Sequence, residues 1–394
     1  MGICVLEATL ERASIPLGLL FSQQGSYGEV GTTMFRGAML AVNEIERDAA
    51  CGFRFAVQAV EPSGLNENYI AGARQLLSRD GLRHVVGCYT SSSRKEVLPV
   101  FEKHDALLWY PSHYEGFETS ENIVYTGAAP NQHVVPLTHY VLSQNGRNAF
   151  MVGSNYIWAW ENNRIMRDIL GRNGGQVLGE RYVPLGDRDL DEIIDLILRC
   201  KPDFVFNTLI GESAYSFFRR FRERCAQAGL NQPADLPIVS CSLAEPELPL
   251  IGAACDGHLS SSVYFSSIRS AENDRFLAAW KATYPTAGEP SADAEASYIA
   301  VHVLAQAIRL AQSPEVPKVL SVLKDVRFPA PQGPVRIHPE NRHSFLWPRI
   351  GRSRADGTFD IIHESSSVVE PDPYLVWEPL TLGAAARHGL KVVS

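Results

Sequence analysis

The chain has 394 residues, 45% of them hydrophobic and 20% charged, an ordinary globular composition that excludes wholesale disorder and a collagen-like fibre. At ~150 residues per domain the length suggests two to three domains, and a globule of this size buries roughly 75% of its unfolded surface, so a core needs no metal or disulfide staples. Lys plus Arg is 36 against 44 for Asp plus Glu, a formal charge of -8, which is not the basic footprint of a nucleic-acid binder.

The first segment, Met1 to Ser14, reads MGICVLEATLERAS and has no basic leader region. Leu6 stands where N-myristoylation needs Ser or Thr. No run of ~20 apolar residues suits a membrane helix. The expectation is a cytoplasmic protein, or a periplasmic one whose leader was removed. The seven cysteines (Cys4, Cys51, Cys88, Cys200, Cys225, Cys241 and Cys255) are odd in number and form no CxxC, so they read as free thiols.

Short β-branched or aromatic runs then alternate with helical stripes. Strands are predicted at Ile15–Phe21, Phe53–Val60, His84–Val86, Ala106–Trp109, Ile123–Tyr125, Ala149–Val152, Val177–Val183, Phe204–Asn207, Ile238–Ser240 and Gly257–Ser261. Helices lie between most of them, as in Thr32–Ala50, where Met34, Ala38, Ala41, Val42 and Ile45 form one apolar face. After residue 263 the alternation stops. Three helices follow, at Glu272–Thr283, Ala292–Gln312 and Val316–Val326, then a β-like tail at Pro334–Ile337, Phe345–Ile350 and Phe359–Ile362. The pattern predicts an α/β protein with two doubly wound parallel-sheet lobes. The late helices have no sheet of their own, so the lobes are expected to be discontinuous: residues 1–127 with 264–333, and 128–262 with 334–394. No long Pro/Gly/Ser linker occurs, so the passages between lobes should be short and firm.

Catalytic motifs are missing. Gly25-Ser26-Tyr27-Gly28 lacks the Lys-Ser/Thr of a P-loop and the third Gly of a dinucleotide fingerprint, leaving a turn or a loop lining a cleft between lobes. Asp187, Asp189 and Asp191 imitate a calcium loop, but Glu192 and Leu198 occupy the positions that need Gly and Glu. The histidines show no zinc spacing, and there is no Gly-x-Ser-x-Gly elbow. Cys88, inside VVGCY, reads as a buried structural thiol. Two arginine-rich runs, Arg219 to Arg224 and Arg349 to Arg354, read as solvated faces. The chain is expected to be no enzyme and to need no cofactor or metal.

Three strand ends carry hydroxyls and aromatics. Tyr89, Thr90, Ser91, Ser92 and Ser93 follow one strand; a single hydroxyl suffices for a helix cap, so the rest are free to grip a polar ligand. Tyr110 and Ser112 follow the next, with Pro111 between them. Tyr156 and Trp158 open a helix after a third. Ligands of open α/β sheets bind outside the carboxyl ends of strands. Tyr89, Ser91, Tyr110, Ser112, Tyr156 and Trp158 carry no formal charge, which suits a small neutral polar ligand such as an amide or urea. Arg94, Glu115 and Glu161 lie close in sequence and are read as facing solvent or pairing with each other.

The stretch VGCYTSSSRKEVLPVFEKHDALLWYPSHYEGFETSENIVYTGAAPNQ, residues 86–132, resembles the amide/urea group of type I periplasmic-binding-like proteins, and most of all the amide-sensing negative regulators of amidase operons. IPLGLLFSQQGSYG, GSNYIWAWENNRIMRD, VYFSS and APQGPVRIHPENRHS extend the resemblance over nearly the whole chain. The resemblance implies two lobes closing on an amide. It places ligand contacts on Tyr89 and Ser91 (family pattern GCYxS), Tyr110 and Ser112 (YPT) and Tyr156 (SDYIY). Here YPT has become YPS, and YIY has become YIW at Trp158, which resizes the pocket. It further implies an RNA-binding antiterminator as a partner in the sensor reading, with no direct contact to nucleic acid, no membrane insertion and a homodimer as a further association. The alternative is the substrate-binding component of an ABC transporter for urea, short-chain amides or branched-chain amino acids.

Overall fold

In the computed structural model, which describes residues 12–78, 82–144, 146–376 and the backbone of 390–392, the alternating strands and helices divide between two large sheets. The first contains β1 (Ala13–Leu20), β2 (Phe53–Val60), β3 (His84–Gly87), β4 (Leu107–Tyr110) and β5 (Ile123–Tyr125). All are parallel, in the order β2-β1-β3-β4-β5. The helices α1 (Gly28–Arg47), α2 (Asn66–Leu77) and α3 (Ser91–Lys103) connect them. Strands β3 and β4, HVVG and LLWY, are buried at every residue. An unbroken apolar run, with no polar face, fits a parallel strand covered on both sides.

The second sheet repeats the winding. Its parallel part contains β6 (Asn148–Ser154), β7 (Gln176–Val183), β8 (Phe204–Thr208), β9 (Ile238–Ser240) and β10 (Leu259–Ser262), in the order β7-β6-β8-β9-β10. Helix α4 (Val134–Gln144) precedes it, and α5 (Ile157–Arg172), α6 (Asp191–Cys200), α7 (Gly211–Gln227) and the one-turn α8 (Gln232–Asp235) and α9 (Leu248–Ile251) cross between its strands. Then come α10 (Ala271–Thr283), α11 (Ala292–Ala311) and α12 (Val316–Val322), and a small sheet of β11 (Phe328–Ala330), β12 (Gly333–Ile337) and β13 (Ser344–Phe345). Helix α11 packs on α1 of the first lobe so closely that a Cβ at Gly37 would sit 2.1 Å from the Ala294 carbonyl oxygen. Finally β14 (Arg349–Ser353), β15 (Phe359–Ser365) and β16 (Leu390–Val392) extend the second sheet in antiparallel fashion.

The tail corrects one expectation. Phe345–Ile350 is not one strand: β13 ends at Phe345, β14 begins at Arg349, and the two join different sheets. Pro348 stands between them and has no N–H to give a ladder. Met1 to Glu11, with Cys4, lies outside the described residues.

Each sheet reverses its strand order once, between β1 and β3 in the first and between β6 and β8 in the second. These switch points leave a crevice at the carboxyl ends of the strands, and there the two lobes meet. The Ser26 carbonyl accepts a hydrogen bond from Glu212 N of the other lobe at 3.2 Å. Gly211, at φ +59°, permits the approach, since a Cβ there would lie 2.0 Å from Ser26 O. The Gly25–Gly28 loop therefore forms part of the lobe contact.

Residues 126–133 lead from the first sheet towards the second, 263–270 lead from the second sheet to α10, and 346–348 lead from the small sheet to β14. These passages are tied to one another. Ser261 Oγ donates to His133 O at 2.8 Å, and Arg349 donates to Val263 O at 2.7 Å and Gln332 O at 2.9 Å. Arg349, read from the sequence as part of a solvated face, is buried at this junction.

Candidate ligand-binding cleft

The first wall of the cleft begins at the end of β3. Cys88 there adopts φ +66°, a conformation uncommon for a residue with a Cβ, and its N–H is held by Leu20 O at 2.9 Å. Burial pushes its thiol up to about 12, so it is inert at neutral pH. Thr90 caps α3 by accepting from Ser93 N at 3.1 Å, and Ser93 Oγ donates back to Thr90 O at 2.8 Å. Much of the hydroxyl run is thus consumed within the cap, contrary to the expectation of several free hydroxyls. Ser91 is turned elsewhere. Its Oγ donates to Glu115 Oε2 and accepts from Arg94 Nη1 at 3.3 Å.

Arg94 and Glu115 are buried and paired at 2.9 Å, so of the two readings open in the sequence the structure takes pairing over solvent. Arg94 Nε also meets Glu118 at 2.7 Å, and its guanidinium lies 4.8 Å from the ring centres of both Tyr110 and Tyr114. Burial alone would raise the Glu118 carboxyl; the charges of Arg94 and Lys95 overcome it and hold the group down to about 2. Glu161 pairs with Arg164 at the surface. A serine oxygen has one hydrogen and two lone pairs. With the hydrogen on Glu115 and one lone pair on Arg94, Ser91 keeps one acceptor site. Tyr110 donates to the Tyr89 carbonyl at 2.7 Å, with the Ser112 hydroxyl beside it.

The second wall is aromatic. Tyr156 caps the turn from β6 into α5, and its ring stacks on Trp158 at 6.2 Å and 23°. Trp158 meets His113 of the first lobe edge-on at 5.3 Å. Its Nε1 is buried without a hydrogen-bond partner. Burial holds the Tyr156 hydroxyl well above the ordinary tyrosine range, so it stays protonated and able to donate. Of the six sequence-predicted residues, Tyr110 is bonded to the Tyr89 backbone and lies beside Ser112, and Tyr156 stacks on Trp158. Tyr89 is 6% and Tyr156 8% exposed.

Three further residues stand outside the six predicted contacts, and of these only Tyr27 was named in the sequence, within the Gly25–Gly28 loop. Tyr27 packs its ring 5.2 Å from Tyr89. Glu247, on the turn between β9 and α9, is buried beside the Tyr215 hydroxyl; burial pushes its carboxyl up to about 8, so it is largely protonated at neutral pH. Asp293, at the start of α11, bonds His113 Nδ1 at 3.3 Å. The strand-end rule pointed towards Glu247, which follows β9. Nothing local marked Asp293, which reads as an ordinary acid in a first helical turn.

The periplasmic binding protein domain matches residues 15–379. The chain belongs to that family. The Leu/Ile/Val-binding protein homolog 6 of Brucella abortus (strain 2308) is 22% identical over 296 residues, 73% of this chain and 74% of that protein. Among solved structures, the solute-binding protein of an ABC transporter from Rhodopseudomonas palustris HaA2, in complex with p-hydroxybenzoic acid, is similar with a TM-score of 0.81 and 21% identity, over 93% of this chain and 100% of that one. A leucine-binding protein of Thermotoga maritima MSB8 gives 0.78 and 16%, over 91% and 99%. The two-lobed type I periplasmic-binding fold expected from the sequence is the fold observed.

Members of this periplasmic binding protein family hold a small ligand between two lobes and are non-catalytic, in keeping with a chain that lacks catalytic motifs. The kinship points to a periplasmic or secreted setting more than to the cytoplasm. No helix among the described residues is long and apolar enough to cross a membrane. The six described cysteines are all unpaired.

Proposed function

We propose that this chain captures a small neutral amide or urea for an ABC-type transporter. Its lobes, 1–127 with 264–333 and 128–262 with 334–394, close over the ligand, with Tyr89, Ser91, Tyr110, Ser112, Tyr156 and Trp158 as contacts. One observation carries the ligand class: the cation behind the first wall is already spent. Arg94 is held by Glu115 and Glu118 and flanked by two tyrosine rings. A carboxylate ligand, such as the p-hydroxybenzoate of the Rhodopseudomonas protein or the leucine implied by the Thermotoga protein's name, would find Arg94 already paired and so gain no charge partner from it. What the walls offer instead is the spare lone pair of Ser91, tyrosine hydroxyls, the Trp158 N–H and a protonated Glu247. These match a group that donates and accepts without charge.

The transporter relatives favour solute capture, in the periplasm, over an intracellular sensor. The sensor reading, with an RNA-binding antiterminator or a homodimer, rests on the residue resemblance alone. A thermal-shift screen of urea, formamide, acetamide, propionamide, butyramide, leucine and p-hydroxybenzoate tests the ligand class, because a compound that binds only the folded state raises Tm. Amides or urea should raise it. A shift with leucine or p-hydroxybenzoate and none with the amides would overturn the assignment.

A further inference from the structure

At the base of the cleft, where the passages between the sheets converge, lies a cavity of about 20 Å³, room for one water-sized group. Both lobes line it: Pro111, His113 and Asp293 from the first, and His133, Cys241 and Ser261 from the second. It lies beside the aromatic wall, since His113 meets the Trp158 ring at 5.3 Å and the His133 ring at 5.8 Å.

The chemistry of the lining is one-sided. His133 is buried, and its Nε2 bonds the Tyr114 carbonyl oxygen at 2.9 Å. A carbonyl accepts, so Nε2 carries the hydrogen and Nδ1 is a bare acceptor. That Nδ1 is buried and has no partner. Burial pushes the ring down to about 3, so it stays neutral and keeps its lone pair. Asp293 uses Oδ1 on His113, and its other oxygen makes no hydrogen bond among the described residues. Cys241 is a buried thiol, raised by its burial, and offers little. The cavity thus presents one buried acceptor without a partner, His133 Nδ1, together with the Asp293 carboxylate and space for one heavy atom with its hydrogens. Among the described residues no three such groups are placed to hold a metal ion.

We propose that this cavity is the deep end of the ligand site, and that His133 Nδ1 and Asp293 receive there one terminal hydrogen-bond donor of the ligand, an unsubstituted –NH2. This rests on the amide or urea reading above and sharpens it. The remaining acceptor of Ser91 serves the cleft side, so a ligand with N–H groups meets acceptors at both ends. The size of the cavity excludes an N-alkyl group at that end. It also separates the ligand's reading into two steps: aromatic packing in the cleft, and a single donor in the cavity.

The test is calorimetric titration of the whole protein with urea, acetamide, N-methylacetamide and N,N′-dimethylurea. The wild type should bind urea or acetamide at least ~10-fold more tightly than its N-methylated counterpart, the loss expected when buried acceptors go unpaired. His133→Gln keeps a donor towards Tyr114 O and loses the Nδ1 acceptor; it should weaken urea or acetamide ~10-fold. His133→Asn, which returns an oxygen near the Nδ1 position, should restore most of the loss. Melting curves of both variants control for folding, and the methylated ligands test the same point on the unaltered protein. Wild-type binding of urea or acetamide with no discrimination against methylation, or with unchanged affinity in His133→Gln, would overturn this inference and leave the ligand class standing. Failure of the wild type to bind any amide or urea would overturn both.

Discussion

The two walls of the cleft are built on opposite plans. On the first lobe, Ser91, Arg94, Glu115, Glu118 and Tyr110 are bonded to one another and to the backbone, so each of these side chains is fixed before a ligand arrives. On the second lobe, Tyr156 and Trp158 present stacked rings, and the indole N–H has no partner. The first wall is pre-organised, which under the proposed function would lower the ordering cost of binding. The second, in the proposed site, supplies apolar area and an indole donor that a ligand between the lobes would satisfy. Truncations in the first wall should therefore damage the fold as well as binding, and those in the second should act on binding alone.

The largest expected effect is Arg94→Leu. It removes the closest cation from the buried Glu115 and one of the two cations at Glu118, and breaking a buried pair costs about 3–5 kcal/mol. Guanidinium unfolding should show a loss of that order; a loss below ~1 kcal/mol would mean the first wall is not held by this network.

The walls should next separate by pH. Glu118, depressed to about 2 by Arg94 and Lys95 against the burial that opposes them, contributes stability that is present above its unfolded value and lost as pH falls towards 2. Glu247, raised to about 8 by burial, contributes stability that is complete below its ordinary value of 4.5 and lost as pH rises through 8. Melting temperature against pH should flatten on the acid side in Glu118→Gln and on the alkaline side in Glu247→Gln. The second flattening is partial, because burial also raises Glu245 to about 7 and Glu295 to about 8. Identical curves for the two variants would erase the contrast.

Ser91→Ala removes a hydroxyl that the buried Glu115 and Arg94 both use. It should weaken amide or urea binding by ~1–3 kcal/mol, roughly 5- to 150-fold, and lower fold stability by ~1 kcal/mol. Calorimetry and denaturation of one preparation give both numbers; a variant with unchanged affinity removes Ser91 from the site.

The finest comparison pairs two hydroxyl deletions. Tyr110→Phe loses the 2.7 Å bond to the Tyr89 carbonyl and should cost ~1 kcal/mol of stability. Tyr156→Phe loses a hydroxyl that bonds nothing among the described residues, so stability should move by less than ~0.5 kcal/mol while ligand affinity falls. Equal stability losses would show that the second wall is bonded into the fold as firmly as the first.

The division into strand ends was legible along the chain. Gly87-Cys88-Tyr89 and Val152-Gly153-Ser154 each close an apolar run and open a helix, and the carboxyl-end rule then points at Tyr89 and Tyr156. The hydroxyl run after Tyr89 was legible as a cap, but which hydroxyl did the capping was not. Thr90 and Ser91 are equivalent in a propensity argument. What separates them is Glu115, 24 residues further on, which takes the Ser91 hydrogen.

Residue periodicity and turn chemistry determined that this is an α/β chain with two doubly wound sheets, because alternating apolar runs report which face of each element is buried. They also placed the candidate contacts at three strand ends. Only the tertiary structure decided what those contacts meet. Arg94 reads as a charge that faces solvent or pairs with a neighbour in sequence until Glu115, Glu118 and two tyrosine rings close around it. Asp293 reads as a helix-start acid until α11 returns it to His113, 180 residues back. The reason is physical: a local pattern encodes burial, whereas the partner of a buried polar group is set by which distant segments the sheets bring together.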